Sequence, residues 1–200
     1  DWGGWKPLGG TGICLDVRDA EAVKAVIAGI TRDYGAPTIL VNNAGITRDN
    51  LMMRMKDEEW SDVIGTNLSP LFTVSKACLR GMTKARWGRI INISSVVGSM
   101  GNAGQVNYAA SKAGAEGMSR AMARELGSRA VTVHCVAPGF IDTDMTNELT
   151  EEQKAATLGQ LPLGVLGTAS EIAKVVAFLA GDAGGYITGE TIHVNGGRYM

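Results

Sequence analysis

The order of apolar and amphipathic segments predicts an α/β fold, an open, doubly wound parallel sheet in a single domain covering residues 1–200. Three observations carry this. Short apolar runs alternate with stretches of helical period, the pattern of βαβ crossovers. The inner runs are continuously apolar, as strands covered on both faces are. Polar and glycine-rich residues gather where those runs stop, and open α/β sheets bind ligands at that rim.

In chain order, "ICLDV" (Ile13–Val17) reads as a strand, and Asp19 to Tyr34 as a helix with Ala22, Val23, Val26, Ile27 and Ile30 on one face. "TILVNN" (Thr38–Asn43) is the next strand, followed by a loop and helical material from Asp57 to about Arg86. "RIINIS" (Arg89–Ser94) and "VTVHCVA" (Val131–Ala137) are strands flanking a long helix from Asn107 to about Ser128. Pro138-Gly139 stops the second of them. Thr168 and Glu171 have capping-box spacing before the helix "EIAKVVAFLA", and "TIHV" (Thr191–Val194) is the last strand. No repeat, linker or low-complexity tract interrupts this order.

Bulk properties exclude several classes. The net charge of -1 and pI near 6.2 give no electrostatic footprint for nucleic acid or an anionic membrane. No apolar run approaches the ~20 residues of a membrane span, and no signal peptide is visible. The three cysteines, Cys14, Cys78 and Cys135, are scattered without C-x-x-C or a histidine at metal spacing. They are expected to be reduced core or helix residues of a cytoplasmic protein, with no metal site.

The chemistry-bearing residues sit at the strand ends: "NNAG" (Asn42–Gly45), Ser94-Ser95 and "APG" (Ala137–Gly139). Each alone is ordinary turn chemistry. Together they mark one rim, and Tyr108 opens the helix that leaves it. In "QVNYAASKAGAEG", Tyr108 and Lys112 lie one turn apart, so a helix presents both on one face. A cation beside a phenol stabilises the phenolate and is expected to lower its pKa.

With these motifs in order, the chain resembles the short-chain dehydrogenase/reductase family, whose fold is Rossmann-like. The family's Asn-Asn-Ala-Gly signature matches Asn42 to Gly45, its serine Ser95, its tyrosine and lysine Tyr108 and Lys112, its helix asparagine Asn67 in "TNLS", and its P-G motif "PGFIDT". Within the family, "NNAGITRDNLMMRMKDEEW", "APGFIDTDMT" and "HVNGGRYM" are most similar to the 3-oxoacyl-(acyl carrier protein) reductases of type II fatty-acid synthesis. Relatives acting on acyl-CoA, sugars or alcohols share the scaffold, and a non-catalytic paralogue or fragment is the alternative of a different class.

The resemblance implies NADP(H) as cofactor, with NAD(H) not excluded. It implies Tyr108 as proton donor, Lys112 as its electrostatic partner and ribose ligand, Ser95 as donor to the substrate carbonyl, and Asn67 as holder of a relay water. Asp16 and Val17 would meet the adenine, Asn43, Ala44 and Gly45 the adenosine ribose side, and Pro138, Gly139, Ile141 and Thr143 the nicotinamide side. Arg86 and Arg129 match arginines that dock the acidic carrier protein at the site mouth. A homotetramer is implied, with Ala109, Ala113, Gly114 and Gly117 allowing close helix approach. The segment after Thr143, through "NELTEEQKAATLGQLPLG", is a candidate substrate lid.

Two departures accompany the resemblance. His134 stands where the family usually has asparagine and is read as packed core. The family's opening strand, T-G-x-x-x-G-x-G loop, helix and second strand have no counterpart before "ICLDV". One strand–helix–strand unit is therefore expected to be missing, and residues limited to these are expected to bind NADPH poorly.

Overall fold

The structure is a computed structural model, and it describes residues 9–142 and 151–200. Helix α1 spans Ala20–Tyr34; Asp19 starts it by accepting from the Glu21 and Ala22 amides at 3.0 Å. Strand β1 is Ile39–Asn42. The expected single helical stretch is two helices, α2 (Asp57–Asn67) and α3 (Ser69–Ala85). The break falls at Leu68, because Pro70 has no amide to extend the hydrogen-bond ladder of α2.

Strand β2 is Gly88–Ile93, a short helix α4 is Val96–Met100, and the long helix α5 is Val106–Leu126. Strand β3 is Val131–Pro138. Ile141–Asp142 (β4) pairs with Gly167–Thr168 (β5) in a small second sheet that the sequence pattern does not announce. Helix α6 is Glu151–Leu158 and α7 is Ala169–Ala180. The anticipated capping box opens α7: Thr168 accepts from the Glu171 amide at 3.2 Å, and Glu171 from the Thr168 amide at 2.7 Å. Strand β6 is Thr191–Val194.

The main sheet has the order β1-β2-β3-β6, with every neighbour parallel. It is wound on both faces, as expected. On one face Ile90, Val131 and Val133 meet Cys78 and Met82 of α3 and Ala123 and Leu126 of α5, with Ile27 of α1 packed beside them. On the other, Ile91 and Val136 meet Leu179, with Ile172, Val175 and Val176 of α7 alongside. Gly114 admits Leu68 so closely that a Cβ there would stand 2.9 Å from it. That glycine therefore serves a contact within the chain.

The expected strand Ile13–Val17 is corrected: the segment has no regular structure. The segment pairs with no strand among the described residues, and the outer edge of β1 is left open. On the same edge Ile39 and Val41 are 47% and 42% exposed. Cys78 and Cys135 are buried as expected, whereas Cys14 is exposed.

Candidate active site

The residues at the carboxyl ends of β1, β2 and β3 do come together. Ser95 follows β2 and caps α4, its hydroxyl oxygen accepting from the Val97 amide at 3.2 Å. That contact fixes the oxygen and leaves the hydroxyl proton free to be donated. Tyr108 lies in the first turn of α5, and its phenol shares a cavity of about 490 Å³ with Ser95, Gly139 and Ile141. Burial pushes the phenol above its usual pKa, the Ser95 hydroxyl pulls it down, and the charge of Asp49 pushes it up.

Lys112 lies one turn below Tyr108, almost fully buried, its ammonium donating to the Ile93 carbonyl at 2.7 Å. It stands 5.4 Å from the centroid of the Tyr108 ring. The expectation that Lys112 lowers the phenol's pKa is corrected, because burial dominates at Tyr108. Burial also pushes the lysine down, to about 8.

Asn67 ends α2 and is buried. Its side chain accepts from the Ile46 amide at 2.8 Å and donates to the Ile46 carbonyl at 2.9 Å and to Ser111 at 3.3 Å. It thereby clamps the loop after β1 onto α5. At Gly45 a Cβ would stand 3.4 Å from Asn67 Oδ1 and 3.7 Å from Lys112 Nζ. Both are ordinary van der Waals distances, so the loop after β1 runs directly beside the side chains of Asn67 and Lys112. Asn43 and Ala44 are exposed beside it.

Pro138 and Gly139 lead out of β3, and Gly139 lies so close to Asn195 that a Cβ would come within 2.7 Å of its Cα. Asp16 is exposed and held by Arg18 at 2.8 Å, which keeps its carboxyl down at about 2, and Val17 is half-buried. Thr143 lies outside the described residues, as does part of the candidate lid.

Arg86 and Arg129 do not line the cavity of Ser95 and Tyr108 within this chain. Arg86 precedes β2 and Arg129 precedes β3, whereas Ser95 follows β2. Both arginines therefore stand at the amino rim, where Arg86 donates to the Ser128 carbonyl at 3.1 Å.

Several contributing residues escaped the sequence reading. Asn107 is fully buried; it accepts from the Tyr108 amide at 2.8 Å and donates to the Arg48 and Glu59 carbonyls at 2.9 and 3.1 Å. It ties the first turn of α5, and so Tyr108, to the loop after β1 and to α2. An asparagine directly before the tyrosine at a helix start was the available signal. Buried Glu116 accepts from Ser94 at 2.9 Å and Ser99 at 3.3 Å, and Ser99 contacts His193 at 3.0 Å. Nothing in the spacing of these residues announces that network.

A larger hollow of about 600 Å³ lies between α1 and α3. Its one thiol is Cys78, which burial pushes up to about 11, so that group is not poised as a thiolate. No group of residues able to hold a metal ion occurs among the described residues, and no helix there is long and apolar enough to cross a membrane.

Comparison with known proteins agrees with this arrangement. Residues 6–198 match the family described as enoyl-(acyl carrier protein) reductase. The chain is 67% identical over 191 residues to the 3-oxoacyl-(acyl-carrier-protein) reductase FabG of Pseudomonas aeruginosa, covering 96% of this chain and 77% of that protein. It is 62% identical to the FabG of Vibrio cholerae and 60% to that of Escherichia coli, each over 96% of this chain and 78% of the relative. With its strand-end motifs gathered on one rim of a parallel sheet, the chain belongs to the short-chain dehydrogenase/reductase family.

Proposed function

We propose that the protein reduces the 3-oxo group of an acyl thioester carried on acyl carrier protein to the 3-hydroxy form, using NADPH. The observation that carries this is Ser95 and Tyr108 facing one cavity, with Lys112 one turn below, in a chain 67% identical to a 3-oxoacyl reductase.

The residues present fit the nicotinamide end of such a cofactor, since Ser95, Tyr108, Gly139 and Ile141 line one cavity of about 490 Å³. Asn43, Ala44, Gly45 and Lys112 would hold ribose hydroxyls, Pro138, Gly139, Ile141 and Thr143 the carboxamide side, and Asp16 and Val17 the adenine end. When bound, the cofactor supplies the hydride, which no side chain can. Tyr108 supplies the proton. Its buried phenol stays protonated at neutral pH and delivers its proton to the oxygen that gains charge as the carbonyl carbon is reduced. Ser95 donates to the same oxygen, its own oxygen already held by Val97. Asn67 keeps one lone pair of Oδ1 for the water that returns a proton.

The family description favours a second substrate, the carbon–carbon double bond of an enoyl thioester. Acetoacetyl and crotonyl thioesters, each offered with NADPH and with NADH, separate the readings. Oxidation of NADPH with acetoacetyl thioester alone is expected. Turnover of crotonyl thioester alone would replace the proposal with enoyl reduction. A homotetramer completes the reading, and light scattering showing only monomer at micromolar concentration would remove it.

A further inference from the structure

The cavity that holds Ser95 and Tyr108 is also lined by Arg198, which that mechanism leaves unused. Arg198 lies beyond β6, on a tail that is folded back and held. The Asn195 carbonyl accepts from the Arg198 amide at 3.2 Å, and Asn195 Oδ1 from the Gly197 amide at 2.9 Å. Asn195 Nδ2 donates to the Tyr199 carbonyl at 3.0 Å, and the Tyr199 ring packs on His193 at 4.9 Å. Gly196 and Gly197 make the turn at φ 63° and 85°, a region other residues rarely adopt.

So placed, the guanidinium lies over the Phe140 ring, 4.3 Å from its centroid. Phe140 sits between Gly139 and Ile141, so this stack holds the cation at the lining of the cavity that Ser95 and Tyr108 also border. Its Nη1 is buried and has no hydrogen-bond partner among the described residues. Asp49, the carboxylate among the lining residues, accepts from Gln105 at 2.9 Å. Nη1 itself is closed to a ligand, and the N–H groups of the guanidinium that border the cavity are the donors a ligand oxygen there can meet.

The proposed substrate offers such an oxygen. A 3-oxoacyl thioester has two carbonyls in 1,3 relation. Tyr108 and Ser95 take the 3-oxo group, which leaves the thioester carbonyl as an acceptor without a donor. We propose that Arg198 is a specificity-determining residue that donates to the thioester carbonyl, so that the site reads a 1,3-dicarbonyl unit rather than a lone ketone. This inference rests on the reductase reading above.

The test compares acetoacetyl-N-acetylcysteamine with its thioether analogue, in which the thioester carbonyl is replaced by CH2 and the ketone is kept. In Arg198→Met the KM for the thioester is expected to rise about 10- to 100-fold, the worth of a hydrogen bond to a charged group. Its kcat should change little, because the contact exists before and during reduction. Kinetics with the thioether should be the same in both proteins, and Arg198→Lys should recover part of the loss. Ligand-observed NMR of the thioester without cofactor should show the same weakening. Arg198→Gln, with its melting temperature measured, guards against a folding defect in the methionine variant. Equal losses on both substrates, or a raised KM for NADPH with the thioester KM unchanged, would overturn the inference and leave the reductase reading standing. A wild-type protein that reduces neither substrate would remove both.

Discussion

The two ends of the main sheet are built from the same strands and treat polar side chains in opposite ways. Toward the carboxyl rim, Asn42 donates to Asn92 and Asn92 to Ser119, each at 2.8 Å, Ser94 donates to Glu116 at 2.9 Å, and Lys112 to the Ile93 carbonyl at 2.7 Å. In the amino half, Arg89 and its register partner Thr132 are buried together with His134, two residues further along β3. Arg89 Nη1 donates to the Gly88 carbonyl at 2.9 Å, but Arg89 Nε, Thr132 Oγ1 and both ring nitrogens of His134 have no partner among the described residues. Burial and the charge of Arg89 push His134 down to about 4, so it is neutral at pH 7. Holding an acid and a donor against one cavity requires supporting side chains with fixed rotamers, and a hydrogen-bonded network supplies them. The amino half needs only to fill space.

That contrast can be broken most sharply at Ser95. Ser95→Ala removes a donor aimed at the developing charge, and a drop of about 10²–10³-fold in kcat for acetoacetyl thioester is expected. Stability should fall only by the value of a lost N-cap, about 1 kcal/mol. Retained turnover would mean the serine is merely the cap of α4.

Lys112 sharpens the comparison through pH. Its pKa falls from 10.5 to about 8 in the folded chain, so the unfolded chain binds more protons between those values. Stability therefore rises with pH across that window, and below it the folded state carries the whole cost, on the order of 3 kcal/mol. In denaturant unfolding, the stability of wild type relative to Lys112→Met should grow from pH 8 to 10. A flat difference would mean that Lys112 is not desolvated.

Asn107→Ala deprives the Arg48 and Glu59 carbonyls and the Tyr108 amide of a fully buried partner side chain. It should cost about 2–3 kcal/mol in chemical denaturation, and a loss below half a unit would mean water replaces the side chain. In the amino half the opposite is expected. His134→Leu removes two unpartnered nitrogens at similar volume and should leave stability within about 1 kcal/mol of wild type, or raise it. A loss comparable to that of Asn107→Ala would erase the distinction between the two ends. The smallest effect is expected at the amino rim itself. Arg86→Glu with Arg129→Glu should leave turnover of a small thioester unchanged, since neither arginine borders the cavity; a parallel loss on that substrate would place them in folding or assembly.

The same contrast explains how much could be read from the sequence. Apolar period and turn residues sufficed for β2, β3, β6, α5 and the capping box of α7, because local preference and burial agree there. Ser95, Tyr108 and Lys112 were legible from strand ends and one helix turn, and Asn67 only through the family motif it matches. The strand at Ile13–Val17 was misread because composition reports a residue's fitness for a ladder and says nothing of whether a neighbour exists. A one-dimensional motif does not tell which end of a strand a residue occupies, so it could not say that Arg86 and Arg129 stand at the amino rim of this chain. Asn107, Glu116 and Arg198 were missed because each acts through partners distant in sequence, and only the folded chain juxtaposes them.

The most direct test of the account is Tyr108→Phe, measured with acetoacetyl thioester and NADPH while circular dichroism reports the fold. The phenol is the proposed source of the proton. Turnover should fall by at least about 10²–10⁴-fold, the usual contribution of a positioned general acid. Spectrum and melting temperature should stay near those of wild type. A phenylalanine variant that reduces the thioester at close to the wild-type rate would show that the proton comes from elsewhere, and the proposed mechanism at this rim would fail.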